Sequence, residues 1–230
     1  MITKQIIKRG EEDKNSDFAC LVHDLKTPVS AQARIIDLFL SGSFGTITTA
    51  QREVLAELRN SCGYMKNLVQ DILFLYSFEN RQIALKKEVF DFRELINDIM
   101  TELSVLGREK EQILSLITET QNSYFTGDKH QIRRCVVNLI SNAIAYAPEN
   151  SEIIIKFDKT QNELIFSTTN KASYLLPEDL ERCFKKFKSC FGSGLGLYIV
   201  KQIISAHRGT VFAKKNKNNS CSLGFILPIP

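Results

Sequence analysis

A long segment with helical periodicity constrains this chain more than any other feature of its sequence. From Thr48 or Thr49 onward, apolar residues recur every three or four positions, which predicts an amphipathic helix. Its apolar stripe comprises Val54, Leu55, Leu58, Met65, Leu68, Val69, Ile72, Leu73 and Leu75. The stripe is wide enough to face two neighbours, so a single partner helix cannot cover it.

A first helix is predicted over residues 17–40, where apolar residues also recur at helical spacing. Gly42, Ser43 and Gly45 end this helix and make a turn. Two helices alone bury too little apolar surface to be stable. We therefore predict that residues 1–82 form an α-helical hairpin that dimerises into a four-helix bundle.

After Arg81 the pattern changes to a mixture of strands and helices, which predicts a second domain over residues 83–230. Asp91, with Glu94 three residues later, is expected to cap the first helix of this domain. Strands are expected over 83–90, 113–117, 152–158, 163–169, 209–214 and 221–227, and helices over 91–106, 129–146 and 195–206. This order implies an α/β two-layer sandwich, with the sheet on one side and the helices on the other.

Composition excludes several classes of protein. With 43% hydrophobic and 24% charged residues, the chain is globular, and its longest apolar stretch is far shorter than the roughly 20 residues of a membrane-spanning helix. The charged N-terminus lacks a secretion signal, so we expect this chain to lie in the cytoplasm without membrane contact of its own, either by itself or as the cytoplasmic portion of a membrane-anchored sensor. A net charge of +4 with dispersed basic residues does not indicate nucleic-acid binding.

The six cysteines form no CxxC pair, which argues against a zinc site and against a disulfide framework. Free intracellular thiols are the favoured interpretation. Oxidant sensing by Cys183 and Cys190 is a less favoured alternative.

His23 has an unusual position on the first predicted helix. On a helical wheel, Phe18, Leu21, Leu25, Val29, Ile36 and Phe39 gather on one side, and His23 points away from them. Its imidazole is therefore expected on a polar surface, where it can react. Pro28 removes a backbone hydrogen bond nearby and predicts a local kink. From this helix alone, an exposed histidine without a role is equally compatible.

Residues 23–28, His-Asp-Leu-Lys-Thr-Pro, resemble the H box of sensor histidine kinases. The resemblance implies that His23 accepts the γ-phosphoryl group of ATP and that Asp24 serves as general base. It also implies that Thr27 positions water when the phosphorylated partner is dephosphorylated.

Two further segments predict a phosphate and cation site. Asn138, Asn142 and Tyr146 lie four residues apart on one helix, and amide oxygens suit Mg²⁺, although capping or solvent exposure would also explain them. The closely spaced glycines of residues 192–196 precede another helix, where backbone amides can approach phosphates. Glycine turns before helices are common, so this second signal is weak by itself.

In this order, the segments resemble the N box and G2 box of the histidine-kinase ATPase domain, whose fold is shared with type II topoisomerases, Hsp90 and MutL. The resemblance implies that Asn142 holds Mg²⁺ and that Asn138 and Tyr146 line the phosphate site. The residues implied to shape that site are Gly192, Gly194, Leu195 and Gly196. Phe184 and Phe187 match the F box of the family.

The chain departs from the family in the G1 box, where Asn170 replaces the aspartate that binds the adenine amino group and no glycine follows. Its carboxamide still offers an acceptor and a donor to adenine. The segment between the F and G2 boxes is short. Lys185 and its neighbouring lysines are candidate phosphate cations, with a solvated surface as the simpler alternative.

These features predict an ATP- and Mg²⁺-dependent protein-histidine kinase, a homodimer that phosphorylates His23 and passes the phosphoryl group to an aspartate of a response regulator. Dephosphorylation of that regulator is a possible second activity. A degenerate kinase that acts as a dimeric scaffold is the first alternative. A chaperone-type or repair-type ATPase is the second, for which a hairpin with His23 and Pro28 would have no purpose.

Overall fold

The computed structural model describes residues 24–79, 84–171, 180, 182–187, 194–216 and 218–229. The chain divides into two compact units, residues 1–82 and 83–230, and each is described by itself. The predictions on His23, Gly192 and the start of the first helix lie outside the described residues. Within the described part, no helix is long and apolar enough to cross a membrane.

In its described residues, the first unit contains two helices, α1 over residues 24–40 and α2 over Thr49–Glu79. The start of α2 is fixed by a reciprocal cap. The Thr48 hydroxyl accepts the Gln51 backbone N–H at 3.2 Å, and the Gln51 side chain accepts the Thr48 backbone N–H at 2.9 Å. Two backbone donors that the helix itself cannot satisfy are paired in this way, which explains why α2 begins here.

The two helices run antiparallel. Arg59 on α2 donates to the Asp37 carboxylate on α1 at 2.6 Å, and Arg52, earlier on α2, donates to the carbonyl of Leu40 at the end of α1. Later residues of α2 thus meet earlier residues of α1. Exposed ion pairs of this kind contribute little stability, so apolar packing must supply most of it.

Part of the apolar stripe of α2 faces solvent. Val54, Leu58, Met65 and Ile72 are 57%, 50%, 38% and 40% exposed. On a helical wheel they fall within about 40° of one another at about 100° per residue. We call these four residues the α2 stripe. A single strip of large apolar side chains therefore runs along this helix without being covered by α1.

The second unit alternates strands and helices. Its elements are β1 Glu88–Asp91, α3 Phe92–Arg108, β2 Ile113–Ile117, β3 Tyr124–Gly127, α4 Lys129–Tyr146, β4 Glu152–Lys159, β5 Glu163–Lys171, α5 Gly196–Ala206, β6 Thr210–Lys215 and β7 Ser220–Pro228. A five-stranded sheet has the order β2-β4-β5-β7-β6, in which only the β2–β4 pair is parallel. Strands β1 and β3 form a separate antiparallel pair.

The predicted α/β sandwich with a mixed sheet is confirmed. Two details of the strand prediction are wrong. The strand expected over residues 83–90 begins only at Glu88, because residues 84–87 are irregular, and β3 was not predicted. Both strands have only four residues, too few to show a clear period.

The core lies between the sheet and its helices. Alternate residues of the central strands β4 and β5 are buried, as expected for a sheet covered on one face. Four phenylalanines hold the layers together: the ring of Phe92 on α3 meets Phe157 and Phe166 edge-on at centroid distances of 5.4 and 5.9 Å, and Phe166 stacks on Phe225 at 5.2 Å. Such ring geometries are favourable beyond simple burial.

Asp91 caps α3, as predicted. Its carboxylate accepts the backbone N–H groups of Arg93 and Glu94 and the hydroxyl of Ser123 at 2.6 Å. The Ser123 hydrogen bond is the largest cause that lowers the pKa of Asp91, and the two backbone hydrogen bonds and the charge of Arg93 add to it. Desolvation opposes the shift without reversing it.

A buried histidine joins α5 to α4. His207, at the end of α5, is 8% exposed, and its Nε2 accepts the backbone N–H of Asp128 at 3.1 Å. Its Nδ1 lies 2.9 Å from the carbonyl of Ile203, which can only accept. The ring therefore carries its proton on Nδ1 and is neutral. Asp128 in turn caps α4 through its carboxylate.

The opposite end of α4 is held by two side chains from the α3–β2 connection. Lys110 Nζ donates to the carbonyls of Ile144 and Ala145 at 3.2 and 3.1 Å. The Gln112 amide donates to Ile144, Ala147 and Pro148. These donors satisfy the carbonyls that a helix end leaves unpaired, and a cation is favourable at this negative end of the helix dipole.

The buried imidazole predicts a pH-dependent stability. Burial is the main cause that lowers the pKa of His207, with a small contribution from Lys87, while the Ile203 hydrogen bond and Asp128 oppose the shift. The unfolded chain thus binds a proton at higher pH than the folded chain does. The free energy of unfolding should fall as the pH drops below about 6.5, by up to about 1.4 kcal/mol per pH unit for one proton.

Urea denaturation between neutral and mildly acidic pH measures this slope. His207→Gln should flatten it, and the matched control His130→Gln, which alters an exposed histidine, should leave it unchanged. An equal slope in wild type and in His207→Gln would contradict the assignment.

Candidate nucleotide site and phosphoacceptor helix

Helix α4 presents a polar stripe along its second half, beside residues that are buried in the core. Asn138, Asn142 and Tyr146 are all half-buried and share one face, while Leu139, Ile140, Ala143 and Ile144 are buried in the core. The predicted i, i+4 alignment is thus present in the structure. Asparagine is a poor residue for a helix interior, so two of them on one face indicate a role other than stabilising the helix.

The start of α5 lies directly against this stripe. Asn138 Nδ2 donates to the Gly196 carbonyl at 3.4 Å, and a Cβ on Gly196 would lie 3.4 Å from Asn138 Oδ1. Gly194 has φ of +66°, a conformation that glycine adopts without strain. The structure therefore places two of the predicted site residues, Asn138 and Gly196, in contact with each other. The positive φ of Gly194 explains why glycine occupies that position.

Leu195 has a packing role. It is 1% exposed and precedes the first residue of α5, where its carbonyl accepts the Ile199 N–H at 2.8 Å. Its side chain belongs to the core, so only its backbone could contribute to a ligand site at the helix N-terminus. The Gly194 carbonyl accepts the Phe187 N–H at 3.2 Å, which ties this turn to residues 182–187.

Asn142 is the residue best suited to contact a cation. Its side chain is half-buried and makes no hydrogen bond to any part of the chain that the structure describes. In the same residues, no group of three histidine, cysteine or acidic side chains could hold a metal by itself. An amide oxygen with spare capacity suits Mg²⁺, which is commonly held by few protein ligands together with substrate phosphates and water.

Asn170 lies at the end of β5 and is 4% exposed. Its Nδ2 donates to the Lys171 carbonyl at 3.0 Å, and its Oδ1 faces the Cys221 thiol on β7 at 3.7 Å. Each amide atom keeps one further hydrogen-bonding position, so the group can still accept from and donate to a base. Cys221 was missed in the sequence, because its pairing with Asn170 depends on the β5–β7 register.

The predicted lysine is less well placed. Lys185 is exposed, and within the described residues no hydrogen bond or ion pair joins it to the polar stripe of α4. Its neighbour Lys186 instead places its ammonium 5.8 Å from the ring centroids of Phe187 and Tyr198. Phe187 itself is 68% exposed with φ of +61°, an unusual conformation for a bulky residue.

The predicted phosphoacceptor segment is described only in part. Asp24 and Thr27 lie on α1, and both are exposed. Leu25 is also 49% exposed, so this end of α1 is open to solvent on more than its polar face. Helical structure continues through Pro28.

The cysteines give little support to oxidant sensing. Burial, followed by the neighbouring Cys221, raises the pKa of Cys183 to about 12. Burial likewise raises the pKa values of Cys135 and Cys221. The thiolate is the reactive form, so these thiols are poor nucleophiles at neutral pH. Cys190 lies outside the described residues.

Comparison with known proteins identifies the fold and the relatives. Residues 127–230 match the family of histidine kinase-, DNA gyrase B-, and HSP90-like ATPases. The chain is 26% identical over 239 residues to the sensor histidine kinase CusS of Escherichia coli O157:H7, covering 98% of this chain and 48% of that protein. The chain spans about half the length of the curated relatives it matches.

Two solved structures have the same fold. Full-length ShkA in complex with AMPPNP matches with a TM-score of 0.78 at 22% identity, over 93% of this chain and 46% of that one. The histidine kinase ThkA in complex with the response regulator protein TrrA matches with a TM-score of 0.67 at 21% identity, over 97% of this chain and 66% of that one.

Proposed function

Because this chain belongs to the sensor histidine kinases and carries their type of ATPase domain, we propose that it is an ATP-dependent protein-histidine kinase that phosphorylates His23. In this proposal, residues 83–230 are the catalytic domain and residues 1–82 are the dimerisation and phosphotransfer domain. The observation that carries it is the Asn142 amide, which is half-buried, makes no hydrogen bond to any described residue and lies one helical turn from the contact between Asn138 and Gly196.

ATP is the proposed nucleotide, and the AMPPNP bound to ShkA is a supporting precedent. The adenine amino group would donate to Asn170 Oδ1, and the second Nδ2 hydrogen would reach a ring nitrogen. The phosphates would lie at the N-terminus of α5, beside Gly194, whose φ of +66° suits glycine, and beside Gly196, which contacts Asn138. Asn138 and Tyr146 would border the same site.

Asn142 is the proposed Mg²⁺ ligand. When bound, the cation spreads the charge of the γ-phosphoryl group. The amides of Asn138 and Asn170, which are also proposed to bind the nucleotide, are neutral, so they neither repel the triphosphate nor compensate its charge. A cation is therefore needed to compensate the negative charge of the triphosphate at this site.

The proposed transfer proceeds in line. An imidazole nitrogen of His23 forms a bond to the γ-phosphorus while the bond from that phosphorus to the β,γ-bridging oxygen breaks, and ADP leaves. Asp24 accepts the imidazole proton. The carboxylate can do so because it lies on the exposed surface of α1, next to His23 in the chain.

A response regulator is the proposed acceptor, supported by the complex of ThkA with TrrA. An aspartate carboxylate of its receiver domain would attack the phosphorus, and the phosphorus–nitrogen bond to His23 would break. Thr27, exposed one turn after His23, is the candidate to orient water in the reverse regulatory reaction. The cytoplasmic location stays a prediction.

Dimerisation is proposed through the α2 stripe. Its four large apolar side chains are between 38% and 57% exposed, and together they form one continuous strip along the helix. Packing two such strips against each other makes a four-helix bundle. Burial of apolar area at roughly 25 cal/mol per Å² then favours association.

One alternative has a specific observation in its favour. Asn170 is neutral where the family has an aspartate, so adenine loses a charge-assisted hydrogen bond, and a scaffold with weak ATP turnover is the second candidate function. The kinase proposal and this alternative differ in the phosphorylation of His23.

Nucleotide binding is tested at Asn142. Asn142→Ala should weaken Mg-ATP binding on the order of tenfold or more by calorimetry, because it removes the proposed cation ligand. The free energy of unfolding should hardly change, since the side chain makes no hydrogen bond within the described chain. The control is Ser141→Ala, which removes a hydroxyl bonded to the Asn138 carbonyl on the same helix. Equal affinity of both variants would rule out this role.

Autophosphorylation is tested at His23. Wild-type protein incubated with γ-labelled ATP and Mg²⁺ should acquire acid-labile label, and a receiver domain added afterwards should remove it. His23→Gln should abolish the labelling, and His130→Gln should not. Label that persists in His23→Gln would refute the assignment. A wild-type protein that binds Mg-ATP but stays unlabelled would favour the scaffold.

The dimer is tested by sedimentation velocity. Replacing both Leu58 and Met65 by glutamate should convert the dimer to a monomer, because it would bury two charges per chain in an apolar interface. Val105→Glu, which alters a 59% exposed residue of the second unit, is the matched control and should stay dimeric. A double variant that sediments as wild type would exclude the α2 stripe as the interface.

A further inference from the structure

The carboxamide of Asn170 is held from two sides. Its Nδ2 donates to the carbonyl of Lys171 at 3.0 Å, and its Oδ1 accepts from the thiol of Cys221, whose Sγ lies 3.7 Å away. Asn170 and Cys221 are 4% and 2% exposed. Polar contacts that are shielded from water in this way are stronger than exposed ones, so they restrict the carboxamide in the folded chain.

Both contacts favour the same orientation of this group. Turning the carboxamide by half a revolution about its Cβ–Cγ bond would set Oδ1 against the Lys171 carbonyl, and two acceptors repel each other. The same turn would set the Nδ2 hydrogens against the S–H of Cys221, and two donors repel each other. The arrangement with Oδ1 toward Cys221 is therefore preferred, and a side chain on β7 contributes to that preference.

The thiol of Cys221 acts as a donor at this position. Burial is the largest cause that raises its pKa, and the opposing causes do not reverse the shift, so the proton stays on sulfur at neutral pH. Leu180 packs against Cys221, and an apolar side chain does not compete with Asn170 for the proton. The nearby thiol of Cys183 donates to the Leu180 carbonyl at 3.0 Å.

Asn170 lies on the face of the sheet that α4 covers. Side chains alternate along a strand, so Asn170 points to the same side as Thr168, whose hydroxyl donates to the Leu139 carbonyl of α4 at 3.4 Å. Cys221 is the register partner of Asn170 on β7 and shares that side. The oriented carboxamide is thus on the same side of the sheet as the helix that carries the proposed cation ligand.

A carboxamide in a fixed orientation can distinguish two classes of purine. Adenine presents a donor at its 6-amino group and an acceptor at the adjacent N1, which match Oδ1 and Nδ2 of Asn170. Purines with an oxygen at the same carbon, such as hypoxanthine and guanine, present an acceptor at O6 and a donor at N1. Both of their positions would meet a group of like polarity, whereas a carboxamide that is free to turn matches either pattern.

We propose that Cys221 is a positioning residue for nucleotide selectivity. It holds the Asn170 carboxamide in the orientation that accepts adenine, so that the site rejects 6-oxo purine nucleotides such as ITP and GTP. The inference rests on the kinase proposal, which places the base at Asn170. It adds that selectivity for the base comes from the orientation of a neutral group, and that Cys221 acts through Asn170 without touching the base.

The test compares the dissociation constants of Mg-ATP and Mg-ITP, measured by calorimetry with the full chain. ITP differs from ATP at position 6 and at N1, the two positions in question. Wild-type protein should bind ATP more tightly on the order of tenfold or more, because two hydrogen bonds are mismatched with ITP. Cys221→Ala should reduce this preference by about threefold, the effect of one weak hydrogen bond. Cys221→Ser keeps a donor and should retain the preference.

A ratio of two affinities is insensitive to a general loss of folded protein or of phosphate binding. The matched control is Cys62→Ala, which removes a buried thiol from the first unit and should leave the ratio unchanged. Infrared spectroscopy tests the contact itself without nucleotide. The S–H stretching band that disappears in Cys221→Ala should move to higher frequency in Asn170→Leu, because the thiol loses its acceptor.

The possible failures are distinguishable. Wild-type protein that binds neither nucleotide would overturn the kinase proposal and this inference with it. Tight binding of ATP would leave the kinase proposal standing, and the inference alone would then be overturned by equal affinity of wild type for ITP or by a ratio that Cys221→Ala does not change. A ratio that falls equally in Cys221→Ser, or an S–H band that Asn170→Leu does not move, would also overturn it.

Discussion

The antiparallel packing of α4 on α5 is the constraint on which the proposed nucleotide site depends. The two helices touch at three levels: His207 with Asp128, Cys135 with the Val200 carbonyl, and Asn138 with Gly196. The first and last contacts are separated by about 15 Å along both helices at about 1.5 Å per residue. The helices are therefore fixed relative to each other in their lengthwise position as well as in their angle. As a result, Asn138 on α4 meets Gly196 at the start of α5.

This arrangement explains how a site of neutral side chains can be held in place. Asn138, Asn142 and Asn170 carry no charge, so their positions cannot be maintained by ion pairs. Instead, α4 is anchored at both ends by groups that serve no ligand: Asp128 and His207 at its start, and Lys110 and Gln112 at its end. Binding groups that need no rearrangement cost less entropy when the ligand arrives.

Long periodic segments could be predicted from the sequence because many residues repeat the same signal. The bounds of α4 were found in this way, whereas the capping role of Asp91 was found from its spacing to Glu94. Strands β1 and β3 have too few residues to show a period. The Cys221–Asn170 contact joins residues 51 positions apart, and the neutral state of His207 depends on its burial beside Asp128. Such features follow from tertiary packing and have no local signature in the sequence.

The strand order of the sheet also bears on how the chain folds. The hairpins β4–β5 and β6–β7 join neighbouring segments and can form early, whereas β5–β7 pairing must close a loop of about fifty residues and pay its entropy first. Asn170 reaches Cys221 only through that long-range pairing. We therefore expect the proposed adenine end of the site to be among the last parts to assemble, so that a nascent or partly folded chain would present no competent nucleotide pocket.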